Sequence, residues 1–271
     1  MNSYKILFSF FLLVLVTAPL IAQNTNCGKV IYNETQSFSY GTFNTTYEMT
    51  FGTKGSYTEE IEINKSSDQK HKAYDNSGEY TSGTMTIVSG RKNLTPKFYY
   101  NSKDHLYFRE IWYNHVLVVI DRDSLWNWEL LPESKNIGNF LCQKATAHFR
   151  GRDYTAWFTT KIPVPYGPWK AYGLPGLIME IYDADKLLYI VAQHVNLNST
   201  TNNCKLTVPN DLDQALIIEN YLNERDRLTE ENFAKLAARY TPKGATPMKI
   251  DRNCESCKNE NIERYDLENT Q

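Results

Sequence analysis

The chain has 271 residues with 29 basic and 31 acidic side chains, a formal net charge of −2. So near a balance offers no electrostatic footprint for nucleic acid or an anionic membrane as partner, and the length suits one large domain. Aromatics make up 13% of the sequence, with 19 tyrosines and 12 phenylalanines, which favours strands, whose pleated, half-buried surface suits such side chains.

Met1 to Ala22 carries Lys5, then the apolar run ILFSFFLLVLV, then TAPLIA ending on a small residue. This is the layout of a secretory signal peptide, and its apolar core is too short to span a bilayer. Cleavage is expected after Ala22, giving an exported, periplasmic or secreted chain that starts at Gln23 and has no transmembrane segment. Asn24-Thr25-Asn26 ahead of Cys27 is not the small-residue box of a lipoprotein.

From Gly28 to about Asn101 short alternating runs (KVIYNETQSF, TYEMTFG, YTEEIEI) are separated by turn residues, the pattern of a β-meander. The polar stretch Asn64 to Tyr80 predicts an exposed loop or a weak edge hairpin. KFYYNS, HLYFREIWY, HVLVVIDR and WNWELL are more apolar and are expected to be the central strands, with Tyr113-Asn114 as one of the turns between them. Phe140 to Phe149 and Tyr154 to Thr160 flank Arg150-Gly151-Arg152-Asp153 and predict a hairpin, and Leu177 to Tyr182 with Leu187 to Leu197 predict a second. Between the hairpins, Ile162 to Ile178 packs four prolines and three glycines. Leu174-Pro175-Gly176-Leu177 has the Pro-Gly pair of a type II turn, which calls for a positive φ at Gly176. Trp169, Tyr172, Leu174, Leu177 and Ile178 predict that this loop folds back onto the core.

After residue 210 the alternation gives way to helical spacing. Asp211 to Tyr221 and Thr229 to Tyr240 are expected as helices, with Thr229 as an N-cap and Phe233, Leu236, Ala237 and Tyr240 on one face. The fold expected is mainly β (α+β), a curved antiparallel sheet or partly open barrel with a Pro/Gly-rich loop and a C-terminal helical segment. It forms one domain over 23–242 with helices at about 211–240, followed by a polar tail, 243–271, of at most partial order.

The segment GRDYTAWFTTKIPVPYGPWKAYGLPGLIMEIYD, Gly151 to Asp183, preceded by WNWELLPESKNIGNFLCQKATAHF, resembles the signature of the GLPGLI family of secreted proteins of Bacteroidota. The hexapeptide stands at Gly173 to Ile178, and the resemblance is strong from about Trp126 to Asp183. One departure is Ala171-Tyr172 where family members tend to carry Phe-Gly or Gly-Gly. The resemblance implies compartment and architecture for a family of unknown function. It marks Gly151, Arg152, Trp157, Pro163, Gly167, Pro168, Lys170, Gly173, Leu174, Pro175, Gly176, Leu177 and Ile178 as a structural motif, with no catalytic residue and no cofactor.

Five cysteines, Cys27, Cys142, Cys204, Cys254 and Cys257, cannot all pair internally, and mid-strand Cys142 is the one expected free. Cys254 and Cys257 have thioredoxin-like spacing but no strand or apolar run to mount them on a βαβ unit, so a structural disulfide, or a tail cysteine pairing with Cys204, is the expected role. The histidines show no metal-ligand spacing, and neither a nucleophile elbow nor a Walker loop is present. His148, Arg150 and Trp169, beside the family segment, are the candidate ligand contacts. Two function classes follow. In one, a non-catalytic envelope protein, a binding protein or an accessory of envelope assembly or transport, takes a protein partner or an apolar, lipid-like ligand in an aromatic groove. In the other, a periplasmic hydrolase has its site at the mouth of the sheet beside the Pro/Gly loop, where two ionisable side chains within hydrogen-bond reach would share a pocket.

Overall fold

The computed structural model describes residues 27–39, 41–52, 54–61, 68–74, 80–86, 98–102, 105–122, 125–197, 206, 208–240 and 261–265. The proposed signal peptide and Cys204, Cys254 and Cys257 lie outside them. The chain folds as β1 (Cys27–Phe38), β2 (Gly41–Gly52), β3 (Gly55–Glu60), β4 (Asp68–Tyr74), β5 (Tyr80–Thr86), β6 (Phe98–Ser102), β7 (Leu106–Trp112), β8 (His115–Asp121), β9 (Glu129–Ile137), β10 (Phe140–Phe149), β11 (Arg152–Thr159), β12 (Leu177–Asp183) and β13 (Leu188–Asn196). A 3-10 turn at Leu212–Gln214, β14 (Leu216–Ile217) and α1 (Ile218–Tyr240) follow.

Twelve strands make one curved, open sheet in the order β14-β8-β7-β6-β3-β2-β1-β13-β12-β11-β10-β9. Every pairing is antiparallel except that of β14 with β8. β4 and β5 form a separate two-stranded ladder, with Asp68 opposite Thr86, so part of the polar stretch is indeed a hairpin. β1 lies between β2 and β13 and joins two meanders, one running out to β8 and β14, the other to β9. Val30 and Tyr32 on β1 stand opposite Met49 and Tyr47 on β2, and all four are buried on the inner face.

β6, β7 and β8 are therefore a wing of the sheet and not its centre. Their apolar character reports burial on both faces. Phe108 and Val119 point into the main core while Phe98, Val118 and Ile120, displaced by one residue, are buried on the opposite side. Asp211 pairs with Arg109 on that outer side, whereas Tyr221 packs edge-on against Phe108 at 5.7 Å on the inner side. The chain thus passes round the end of the sheet, adds β14 to its edge and enters α1 on the inner face.

The expected hairpin turns form. Tyr113-Asn114 has φ of 45° and 70°, and Arg150-Gly151 has 47° and 72°. Two successive left-handed residues are the type I′ geometry that matches strand twist. The helical region differs from expectation: one 23-residue helix replaces two, preceded by the 3-10 turn. Thr229 is inside it. Its hydroxyl donates to the Arg225 carbonyl at 2.7 Å, the backbone group four residues earlier, and accepts the Trp112 indole N–H at 2.9 Å. Tertiary bonding to Trp112 overrides the capping preference. Tyr221, Leu222, Leu228 and Ala237 are the buried positions of α1, and Leu236, expected inside, is exposed. No helix of the described residues is long and apolar enough to cross a membrane.

Of the described cysteines, Cys27 is in a disulfide, while Cys142 is free and fully buried on β10. Burial pushes the Cys142 thiol up to about 11. At pH 8 roughly one thiol in a thousand would then be ionised. Iodoacetamide is expected to leave Cys142 unlabelled in the folded protein and to label it in denaturant without reductant. Peptide mapping reads the outcome, and native-state labelling at the rate of an ordinary free thiol would contradict it.

Candidate functional site

The Pro/Gly loop fills the hollow of the sheet. Between β11 and β12 it doubles back on itself. Leu177 N–H donates to the Ile162 carbonyl at 2.9 Å, Ile178 N–H to Tyr166 at 3.0 Å and Gly173 N–H to Pro165 at 2.9 Å. Ile162, Val164 and Tyr166 are buried, whereas Pro163 and Pro165 between them are exposed, where a missing N–H costs no internal bond. Tyr32, at the centre of the sheet, donates its hydroxyl to the Ile178 carbonyl at 2.7 Å and anchors the loop's end.

The glycines of the hexapeptide divide two tasks differently from the expected turn. Gly173, with φ of 97°, is the left-handed residue, and Gly176 lies outside that region. Gly176 is required by space: a Cβ there would stand 2.2 Å from the Thr159 carbonyl oxygen and 2.6 Å from its carbon. Close approach of two backbone segments, and not a type II turn, fixes the second glycine.

Aromatic rings pack the loop against the sheet. Trp126 stacks on Phe149 at 4.0 Å and on Trp128 at 4.7 Å, and Trp169 meets Phe149 edge-on at 6.0 Å. The two indoles before β9 also hold the loop's backbone, Trp126 donating to the Lys170 carbonyl and Trp128 to that of Tyr172, each at 2.8 Å. The aromatic groove expected of a ligand carrier is thus occupied by the chain's own rings.

Ionisable groups lie among these rings in tied pairs. Lys170, fully buried, directs its ammonium to the Glu263 carboxylate at 2.5 Å and to the Tyr265 hydroxyl at 3.4 Å, and sits 3.7 Å above the centre of the Phe108 ring. Arg150, in the β10–β11 turn, makes two bonds of 3.0 Å to Asp121 at the end of β8. Both come from one guanidinium nitrogen, which is thus shared between the two carboxylate oxygens and bridges the two wings across the opening of the sheet. Arg152 bonds Asp183 at 3.2 Å, Asp185 at 2.9 Å and the Asn261 carbonyl at 2.8 Å. The Tyr221 hydroxyl meets Glu110 at 2.5 Å, and burial, then the Glu110 charge, hold its pKa above the ordinary tyrosine value. Burial, followed by the Glu263 charge, does the same for Tyr265.

The three candidate ligand contacts are not brought together. His148 is exposed and pairs across the hairpin with exposed Asp153 at 2.7 Å. Arg150 is committed to Asp121 and stacked 4.5 Å over Tyr265, and Trp169 is inside the core. Of the residues expected to form the structural motif, Trp157 lies on the outer face under Lys135, 4.5 Å from its ring, and Lys135 also binds Glu180 at 2.7 Å. What the sequence reading missed is the end of the tail. Residues 261–265 return to the inner face, where the Arg264 N–H donates to the Arg150 carbonyl at 2.9 Å and Tyr154 donates to the Ile262 carbonyl at 3.1 Å. Ile262 and Tyr265, three apart in a polar stretch, were the available signal. A separate shallow cleft of about 560 Å³ lies where β8 meets α1, lined by Val116, Leu117, Val118, Leu216 and Asn220 and edged by Arg227.

The model of a family described as "Protein of unknown function (Porph_ging)" matches residues 148–180. The match covers the end of β10, β11, the loop and the start of β12, the part of the chain that fills the sheet. No curated protein matches. Among solved structures, PNGF-II in its C2 and P21 crystal forms aligns with 74% and 75% of this chain at 12% and 10% identity, with a TM-score of 0.44 in both cases. The chain spans about a third of the length of those structures, 33% and 34%.

Two sets of variants test this geometry by urea unfolding. Gly173→Ala is expected to cost about 1 to 2 kcal/mol through left-handed strain. Gly176→Ala is expected to cost at least as much through overpacking, on the order of 1 to 3 kcal/mol. A midpoint for Gly176→Ala equal to wild type would refute the close approach. Lys170→Met and Glu263→Gln are each expected to lose about 3 to 5 kcal/mol by stranding a buried charge or its partner. The double variant should lose less than the sum of the two, and strict additivity would show that they do not interact.

Proposed function

We propose that the chain is an exported cell-envelope protein of the GLPGLI type from Bacteroidota that acts by binding a protein partner and not by catalysis. The observation that carries the reading is the pairing of the buried ionisable groups with one another. Buried Lys170 and Arg152 each hold a carboxylate within hydrogen-bond reach, and buried Asp121 is held by half-buried Arg150. In such an arrangement charge fixes structure, whereas a hydrolase needs a proton donor or acceptor facing a space that admits substrate. Export is supported by the layout of residues 1–22 and by the disulfide at Cys27, which belongs to an oxidising compartment. A protein partner is favoured over an apolar ligand because the chain's own loop and rings occupy the hollow where such a ligand would sit.

Intact-mass measurement on protein purified from its native envelope is expected to give a chain starting at Gln23. A mass that includes residues 1–22 would refute the export reading, and a lipid on Cys27 would refute the soluble chain starting at Gln23. A panel of ester, peptide, glycoside and phosphate model substrates is expected to show no turnover above blank. Turnover abolished by Glu110→Gln would establish the hydrolase instead.

A further inference from the structure

The five residues Asn261 to Tyr265 are held as a bound peptide is held. They have no helix or strand of their own, and their contacts fall into two kinds. Three are made to their backbone: Arg152 Nε to the Asn261 carbonyl, the Tyr154 hydroxyl to the Ile262 carbonyl, and the Arg150 carbonyl from the Arg264 N–H. These use only main-chain groups, so they accept any sequence that can follow the same path, which bends at Ile262. Three further contacts read side chains: Lys170 takes the Glu263 carboxylate and meets the Tyr265 hydroxyl, and the Arg150 guanidinium stacks on the Tyr265 ring. Backbone bonds for affinity with alternate side chains for specificity is the division of labour of extended-peptide recognition. The receiving groups belong to β11 and the loop. With the tail seated on them Arg152, Tyr154 and Lys170 are 4%, 1% and 1% exposed, and Gly151 lets the peptide approach, since a Cβ there would meet Arg264 at 2.9 Å.

We propose that this groove is a peptide-recognition site which the chain's own tail occupies. In place of the tail it takes an extended peptide carrying a carboxylate side chain followed, two residues later, by an aromatic one. The proposal deepens the reading of the chain as a protein-binding module and rests on it. The buried ammonium of Lys170 sets the rule of entry, because any segment replacing the tail must bring a counter-charge. Twenty residues, 241–260, join α1 to the tail, so the tail competes as a tethered ligand at high effective concentration. An incoming peptide displaces it readily once that tether is cut.

The test uses the full chain with a specific protease site inserted after Lys258, beyond Cys254 and Cys257, and cleaved after folding. A fluorescent peptide of residues 259–271 is then titrated into the nicked protein and followed by anisotropy, with circular dichroism reporting the fold. Saturable binding is expected, with the Glu263→Gln and Tyr265→Ala peptides each at least tenfold weaker. An unrelated Glu-x-Phe peptide should compete and its Lys-x-Phe counterpart should not. Loss of the fold on nicking would overturn the proposal, because the tail would then be an integral element and not an occupant. Failure of the peptide to bind the folded nicked protein, or binding indifferent to Glu263, would overturn it as well. None of these outcomes touches the export and binding reading, which the mass and substrate measurements decide.

Discussion

An ammonium withdrawn from water has to meet a counter-charge and donors for its protons, and the structure is arranged around Lys170, where that requirement is strictest. The Lys170 amine reaches Phe108 on one wing of the sheet and Glu263 and Tyr265 from the tail, while its own backbone belongs to the loop between β11 and β12 on the other wing. With the tail in place, a single buried cation therefore ties together three parts of the chain that pair with one another in no β-ladder. Arg150 and Asp121 repeat the device at the rim. Side-chain charge does for the opening of this sheet what hydrogen bonds between first and last strands do for a closed barrel.

Leaving the sheet open exposes an edge. β9 is that edge, and most of its residues face solvent. Pro132 within it has no N–H to offer, and Glu133 and Lys135 flank it, the features by which natural edges resist pairing with another chain. Lys135 leans over Trp157 to reach Glu180, so the same residue that discourages edge pairing covers an aromatic ring on the outer face. At the opposite end the sheet finishes on the two residues of β14, leaving little strand to extend.

Much of this was legible in local sequence because local chemistry decides it. Arg150-Gly151 and Tyr113-Asn114 announce their turns, alternation announces the strands, and the prolines and glycines of 162–178 announce an ordered loop with an apolar underside. Position within the sheet was not legible for β6 to β8, since burial on both faces leaves the same apolar run at a wing as at a centre. Thr229 read as a cap because a hydroxyl ahead of two glutamates satisfies the local rule, and only the distant Trp112 indole shows otherwise. Gly176 read as a turn glycine for the same reason. Its neighbour is the Thr159 carbonyl, seventeen positions back, and steric exclusion between remote backbone segments leaves no periodic trace. The partners of the candidate site were harder still. Glu263 stands in a polar stretch whose composition speaks for solvent, and its role depends on a lysine that the chain passes long before.

The place of β1 has a kinetic meaning. The first described strand is the middle of the sheet, with Tyr32 facing Tyr47 on one side and Ala192 on the other. The β2 side can pair as soon as a short turn closes, but the β13 side has to wait until the chain up to Asn196 exists. Until then β1 is a free edge presenting Val30, Ile31 and Tyr32 in a row, with the ladder of highest contact order in the fold still unmade. A chain delivered from its N-terminus thus displays this strand early and covers its second side late, and the interval between the two is when it depends most on being kept apart from its own copies.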